Sequence, residues 1–271
     1  MSLQTIAFSH VSNYVRNDFQ TIDGKETVSS LLSTFYKTER YELLVQNKNR
    51  IEVVTLRDVL KVDHPDQTSI SKISKPLPSV LSSASVAEAI DMMVKNKIRT
   101  IRVFNDREIF IGLVLQTDLL NELADIEELK NLLAHEVMVK SLITAEVDIS
   151  AATVRSMMIK NNISHIPLIS KEGLLKGLIT AQDLVWYFIH PRESLGLGDI
   201  RGEKIKKWSS KISGIEDKNP ITASSGTSLY NVIQMIIENK KSCCLITEDR
   251  KLLGIITPRE ILALLKEFRP K

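Results

Sequence analysis

A seven-residue phrase recurs through the chain: glycine, two aliphatic residues, threonine, two variable residues and an acid. It reads Gly177-Leu178-Ile179-Thr180-Ala181-Gln182-Asp183 at its most complete, and Gly254-Ile255-Ile256-Thr257-Pro258-Arg259-Glu260 near the end. A third copy, Gly112-Leu113-Val114-Leu115-Gln116-Thr117-Asp118, has leucine in place of the threonine. A fourth, Glu52-Val53-Val54-Thr55-Leu56-Arg57-Asp58, has lost the glycine. The four acids are separated by 60, 65 and 77 residues, the period of a supersecondary unit rather than of a short solenoid repeat. Four such units fill nearly all of the 271 residues and leave little room for a separate catalytic domain.

Aligned on its acid, each copy opens with a short extended piece bearing a hydroxyl: Thr21, Ser79, Thr144 and Thr222. Seven residues later an aliphatic or small residue, Val28, Val86, Ala151 or Leu229, marks a helix start. Val86, Ala89, Ile90, Met93 and Val94 recur at steps of three and four, as do Ala151, Val154, Met157 and Met158. A polar cluster ends each helix. A β-rich run follows (residues 98–104, 163–169 and 242–246), then a charged turn, then the strand carrying the phrase, then a closing helix. The expected fold is therefore α/β, in the α+β sense, built from four β-α-β-β-α units. About 50 residues enclose too small an interior to be secure alone. Pairing of neighbours is expected, giving modules at 1–125 and 126–271. The stretch 121–140 reads as a mainly helical joint between them. Residues 190–207, with Pro191, Gly196, Gly198 and Gly202, read as an insertion between the third and fourth units.

Composition narrows the function. A net charge of +3 is far from the dense basic stripe of a dedicated nucleic-acid binder. Lys204, Lys206, Lys207 and Trp208 give only weak support for nucleic acid. The two cysteines, Cys243 and Cys244, are adjacent and would point to opposite faces of a strand, so no mutual disulfide is expected. No cysteine or histidine spacing suggests a metal site. The five histidines pair with no serine or cysteine nucleophile, so no enzyme activity and no catalytic cofactor are expected. Residues 1–10 lack the basic start and apolar core of a secretory leader, and no apolar run approaches the roughly 18 residues needed to span a bilayer. The expectation is a cytoplasmic protein without membrane association.

The phrase and its setting resemble the cystathionine-β-synthase (CBS) domain family. Residues 141–187 carry the resemblance best: Leu142-Ile143-Thr144 at the opening, Ile163-Ser164-His165-Ile166-Pro167-Leu168 in the middle, and Gly177 through Asp183 at the end. Such units work in tandem pairs, called Bateman modules. Two pairs in one chain is a layout similar to that of the gamma subunit of AMP-activated protein kinase. The resemblance implies regulation rather than chemistry. It implies binding of AMP, ADP or ATP in clefts between paired units, with occupancy passed to a protein partner. The identity of that partner and the existence of a homodimer stay open.

Chemistry assigns roles to the matching residues. Thr180, at a strand-to-helix junction, would offer a hydroxyl and backbone N–H groups to phosphate oxygens. Asp183, one turn on, would accept hydrogen bonds from ribose hydroxyls. Ile143 and Thr144 would flank the adenine. The resemblance brings Ser164, His165 and Pro167 of the middle strand towards the phosphates. The same logic marks Thr222, Ser242, Thr257 and Glu260 in the fourth copy, Thr21, Thr55 and Asp58 in the first, and Asp118 in the second. Of the cations near the middle strands (Lys95, Lys97, Arg99, Arg102, Lys240, Lys241), Arg99 matches Ser164 in position and is the candidate for reaching a phosphate.

The copies are unequal. Leu115 removes the hydroxyl from the second. The first offers Tyr41 and Glu42 where the third has Ser164 and His165, and a carboxylate repels phosphate. The order of promise is third, fourth, first, second. Two alternatives stay open: a ligand-free scaffold, in which the threonine and acid only cap helices, and a nucleic-acid-binding regulator using the basic insertion. In the fourth copy Pro258 and Glu260 complete a capping box, so capping and binding are equally good accounts there.

Overall fold

The computed structural model describes residues 1–38, 40–189, 211–212 and 214–268. The insertion at 190–207 and the cluster Lys204, Lys206, Lys207 and Trp208 lie outside the described residues. A short helix, α1 (Leu3–Phe8), precedes the first repeat. That repeat comprises β1 (Thr21–Asp23), α2 (Val28–Thr38), β2 (Glu42–Asn47), β3 (Arg50–Thr55) and α3 (Leu56–Leu60). A two-residue strand, β4 (Lys75–Pro76), leads to the second: β5 (Ser79–Leu81), α4 (Val86–Asn96), β6 (Thr100–Phe104), β7 (Phe110–Leu115) and α5 (Gln116–Leu123). After α6 (Ala134–Val137) comes the third: β8 (Ala145–Glu146), α7 (Ala151–Asn161), β9 (His165–Ile169), β10 (Leu175–Thr180) and α8 (Ala181–Ile189). The fourth is β11 (Thr222–Ala223), α9 (Leu229–Glu238), β12 (Cys244–Glu248), β13 (Lys251–Ile256) and α10 (Pro258–Ala263).

Each repeat forms its own small mixed sheet. The opening strand runs parallel to the middle one, and the middle strand runs antiparallel to the last. The helices start at Val28, Val86, Ala151 and Leu229, as the spacing predicts. Their starts are fixed locally: Ser85, Ser150 and Ser228 sit in extended conformation, and their hydroxyls accept the N–H of Glu88, Thr153 and Asn231. The middle and last strands are joined by tight turns carrying left-handed residues, Lys48, Glu108, Gly173 and the pair Asp249–Arg250. The opening strand of the third repeat starts at Ala145, so Ile143 and Thr144 lie just ahead of it.

The pairing of repeats departs from the expected division at 125/126. One compact unit comprises residues 1–19, 77–142 and 221–271, and the other 20–76 and 143–220. The second repeat thus packs with the fourth, and the first with the third. One core joins Val86, Ile90, Met93, Leu119 and Leu123 to Leu229, Ile233, Ile256 and Ile261. The other joins Leu31, Phe35, Val54 and Val59 to Val154, Met158, Ile179 and Leu184. Each buried side chain of this kind contributes about 1.5–3 kcal/mol, and pairing supplies the half of the core that a lone repeat lacks. The joints explain the alternation. Short crossing segments before each repeat hydrogen-bond to the last strand of a neighbouring repeat, so the chain leaves one unit as it opens the next copy in the other. The stretch 121–140 forms short helical pieces within the first of these units rather than a bridge between modules. Among the described residues, no helix is long and apolar enough to cross a membrane.

Candidate functional site

The phrase spans the junction between the last strand and the closing helix of each repeat. In the third, the N–H and the hydroxyl of Thr180 both donate to Asp183 Oδ2 at 2.7 Å, and the Asp183 N–H returns to Thr180 Oγ1 at 3.2 Å. This is a reciprocal capping box. In the fourth, the Thr257 N–H donates to Glu260 Oε2 at 3.0 Å, the Thr257 hydroxyl donates to the same oxygen, and Pro258 occupies the first helical turn. In the first, Thr55 donates to Asp58 Oδ2 from its N–H at 3.2 Å and from its hydroxyl at 2.7 Å. The second has no such box: Leu115 supplies no hydroxyl. Each box uses one carboxylate oxygen, and a carboxylate can accept further bonds through the other.

A crossing segment lies against each of these last strands. Arg16 and Leu113 exchange backbone hydrogen bonds at 2.8 and 2.9 Å. Val139 and Ile255 do so at 2.9 and 3.1 Å, and Asp217 and Leu178 at 2.9 Å both ways. Lys75 of β4 pairs with Val53. In every case the strand partner stands five residues before the acid, so Arg16, Lys75, Val139 and Asp217 occupy one equivalent position. The glycine of the phrase permits this approach. A Cβ on Gly112 would stand 2.5 Å from the Arg16 carbonyl oxygen, and one on Gly177 would stand 2.9 Å from that of Asp217. In the first repeat Glu52 replaces the glycine and pairs with Pro76. Its carboxylate is held by Asn47 Nδ2 at 3.0 Å and by the Ser74 hydroxyl.

The crossing residue decides the electrostatics of the acid. Asp58 is only 2% exposed, and its Oδ1 accepts from Lys61 Nζ at 3.2 Å and from Lys75 Nζ. Burial alone would raise its pKa. Hydrogen bonds from Lys75 and Thr55, with the charges of Lys75 and Lys61, outweigh burial and hold the carboxyl below the usual range. Arg16 Nη1 lies 3.3 Å from Asp118 Oδ1, and its other nitrogens hold Asp18 at 2.6 and 2.9 Å. The hydrogen bonds that Arg16 donates to Asp18, with the charge of Asp118, raise the Arg16 guanidinium pKa further. Asp118 Oδ2 is buried with no hydrogen-bond partner among the described residues. In the third and fourth repeats the equivalent positions hold an acid, Asp217, and an apolar residue, Val139. Among the described residues, no cation pairs with Glu260.

The sequence pattern of the CBS domain matches residues 69–125, 134–190 and 212–267. The chain belongs to the CBS domain family. Each matched range begins ahead of a crossing segment, so the family's unit includes it. The first CBS repeat lies outside these ranges, yet it has the same strand order, helix positions and Thr55–Asp58 box. The chain is 20% identical over 263 residues to the uncharacterized protein MJ1404 of Methanocaldococcus jannaschii, covering 96% of this chain and 62% of that one. It thus spans less than two thirds of that relative. The crystal structure of protein MJ1225 from the same organism, a proposed archaeal homologue of g-AMPK, superposes with a TM-score of 0.81. Identity there is 18%, with 94% of this chain and 99% of that one covered. An uncharacterized conserved protein of Pyrococcus horikoshii has a TM-score of 0.65 at 15% identity, with 95% and 100% covered. Both likenesses concern the fold.

In the third CBS repeat, Ser164 lies just ahead of β9 and its carbonyl accepts the Ala181 N–H at 2.9 Å, closing the strand end over α8. His165 stands opposite Thr180 in the antiparallel register, and Ile166 and Pro167 follow in the same strand. Ile143 and Thr144 approach from the parallel side, where Ala145 pairs with Leu168. In the fourth, Ser242 is buried and precedes β12, and Thr222 pairs with Leu245. In the first, Thr21 is exposed and pairs with Leu44, while Thr55 and Asp58 are buried together. Arg99 precedes β6, and its carbonyl accepts the Gln116 N–H at 2.7 Å, matching the role of the Ser164 carbonyl. Of the other cation candidates, Lys95 pairs with Asp91 at 2.6 Å, and Arg102 lies 5.6 Å from the Phe104 ring centroid. Sequence reasoning missed Arg16, Lys61 and Lys75. Arg16 and Lys75 stand five and four residues ahead of their opening hydroxyls, and that offset is the signal that would have found them. Among the described residues, no grouping of histidine, cysteine and acids could hold a metal ion.

Proposed function

We propose that this chain is a regulatory CBS protein whose third and fourth repeats bind adenosine-containing nucleotides (AMP, ADP or ATP) and transmit their occupancy to a protein partner without chemistry of their own. The observation that carries this reading is the contrast at the crossing position. The Thr180–Asp183 and Thr257–Glu260 boxes are crossed by Asp217 and Val139, whereas the first and second repeats bring a paired cation to the acid. A carboxylate that caps its helix through one oxygen keeps acceptor capacity for a ribose diol. Because the repeats pair first with third and second with fourth, each compact unit would hold one such seat. A nucleotide touching both repeats of a unit would favour one arrangement of them, by its differential affinity for the two arrangements. The likeness in fold to a proposed archaeal homologue of g-AMPK agrees with this reading.

Isothermal titration of the full chain with AMP, ADP and ATP tests it. Binding of at least one nucleotide is expected, with a melting temperature that rises with ligand concentration by mass action. Asp183→Asn keeps an acceptor for the Thr180 N–H, yet should weaken one binding event by about ten-fold or more through loss of charge-assisted bonds. Absence of heat and of any thermal shift at millimolar nucleotide would remove the proposal. One observation favours the scaffold alternative: the boxes are complete without a ligand. In that case Thr180→Ala costs about 1 kcal/mol of stability, and no nucleotide protects the chain.

A further inference from the structure

We infer that the crossing residue, at the position of Arg16, Lys75, Val139 and Asp217, is the specificity determinant that decides which of the four seats accepts a nucleotide. A lysine or arginine there fills the seat from within the chain. This rests on the nucleotide-binding reading above and deepens it. The four residues hold one register position, five residues ahead of the acid on the facing strand. Two are cations, and both reach the acid of the repeat they cross. Lys75 Nζ, joined by Lys61 Nζ at 3.2 Å, takes Asp58 Oδ1, the oxygen that the Thr55 cap leaves over. Arg16 takes Asp118 Oδ1 at 3.3 Å.

In the first repeat those contacts use the chemistry a ribose diol would need, namely donors placed on the carboxylate oxygen that the cap leaves over. A diol entering the first repeat must displace charge-assisted bonds to a buried carboxylate, each stronger than the neutral hydroxyl contacts that would replace them. A crossing cation pairs with the acid in both compact units, from different segments, although in the second repeat it takes only Oδ1 of Asp118 and Oδ2 has no hydrogen-bond partner among the described residues. In each unit the partner repeat carries a residue at the same place that cannot act this way. Valine has no donor, and aspartate repels a second carboxylate.

The test uses the full chain and AMP as probe, with the number of binding events per chain read by titration calorimetry. Val139→Lys, at a residue 38% exposed and so tolerant of a longer side chain, should weaken one event by about ten- to a hundred-fold, the worth of charge-assisted hydrogen bonds. Val139→Met controls for size and should leave that event unchanged. Equal affinity and number in Val139→Lys, or tighter binding through attraction of the phosphate, would overturn the inference while leaving the nucleotide proposal standing. If the unaltered chain binds no AMP, the nucleotide proposal fails on its own account. Lys75→Met then decides the inference: a binding event gained supports it, and none overturns it. Should Lys75→Met fail to fold, Arg16→Met provides the same reading at the second repeat.

Discussion

Gly112→Ala should destabilise the first compact unit more than the same change at either other glycine of the phrase. Gly112 has φ of +144°, a region that side chains rarely adopt. Holding alanine there costs about 1–3 kcal/mol. The new Cβ would meet the Arg16 carbonyl oxygen at 2.5 Å, Asn17 Oδ1 at 2.5 Å and Val15 Cγ1 at 2.6 Å. The first contact is backbone and cannot rotate away, so relief requires displacing the crossing segment, at about another 1–3 kcal/mol. The reduced entropy of the unfolded alanine chain returns only about 0.4–1 kcal/mol. The net cost is about 3 kcal/mol, a large share of a typical domain's stability.

The readout should be local, because a two-unit chain need not unfold in one step. Arg16 and Leu113 exchange backbone hydrogen bonds at 2.8 and 2.9 Å, and a 3 kcal/mol loss corresponds to about a hundred-fold fall in amide hydrogen-exchange protection. Gly254→Ala is the informative comparison. Its Cβ would meet Met138 Sδ at 2.5 Å and Cγ at 2.7 Å, atoms of a flexible side chain. A smaller loss is expected there, with Gly177→Ala between the two, since its nearest neighbour is the Asp217 carbonyl at 2.9 Å. Protection at Arg16 and Leu113 unchanged in Gly112→Ala, or a larger loss at Val139 and Ile255 in Gly254→Ala, would refute the assignment of these glycines to close backbone approach.

Three further outcomes follow from the same structure. Asp58 has its carboxyl pKa held below the usual range, so its contribution to stability is present above the unfolded value of about 3.9 and is lost as pH falls through the folded one. Asp58→Asn should cost about 1–2 kcal/mol near neutrality, a figure reduced because Lys61 and Lys75 are 46% and 53% exposed, and the gap in urea midpoint should shrink in acid. A gap that stays constant down to pH 2 would show that charge plays no part. Cys244 is fully buried and its thiol is pushed up to about 12 by that burial, so a thiol reagent at pH 8 should leave it unlabelled until the chain unfolds. Rapid labelling of the native chain would contradict the packing of β12. Ser150→Ala removes the hydroxyl that accepts the Thr153 N–H at the start of α7 and should lower stability by about 1 kcal/mol, measured by chemical denaturation.

The repeat architecture was legible because its signals are local. Serines immediately ahead of an apolar position fix helix starts through capping, and Val86, Ala89, Ile90 and Met93 at steps of three and four mark the buried face of α4. The Thr–acid spacing likewise determines the Thr55–Asp58, Thr180–Asp183 and Thr257–Glu260 boxes, whose partners lie three residues apart. What the sequence did not yield is contact over long separations. Nothing near Leu31 indicates that it will share a core with Val154 and Leu184 rather than with Ile90. Adjacent repeats carry equally apolar faces, and periodicity cannot say which face seeks which. Arg16 reaches Asp118 across 102 residues, and an exposed arginine in a joint has no local feature that announces an ionic partner.

The missed pairing and the missed cations share one cause. A repeat whose crossing segment belonged to its own sheet could keep sequential neighbours together, and its acid would meet only its own residues. Here each segment is laid on the strand of a neighbouring copy, and Gly112, Gly177 and Gly254 admit it at close range. That placement sends the next repeat into the other compact unit, and it sets one foreign side chain five residues from the acid on the facing strand. The interleaved units and the inequality of the four seats are therefore two consequences of the same backbone bridge. A substitution at the crossing position changes the chemistry of a seat and leaves the pairing intact, because the bridge is made by N–H and C=O groups that every residue but proline can supply. This separation lets the surroundings of the four acids diverge while the fold stays the same.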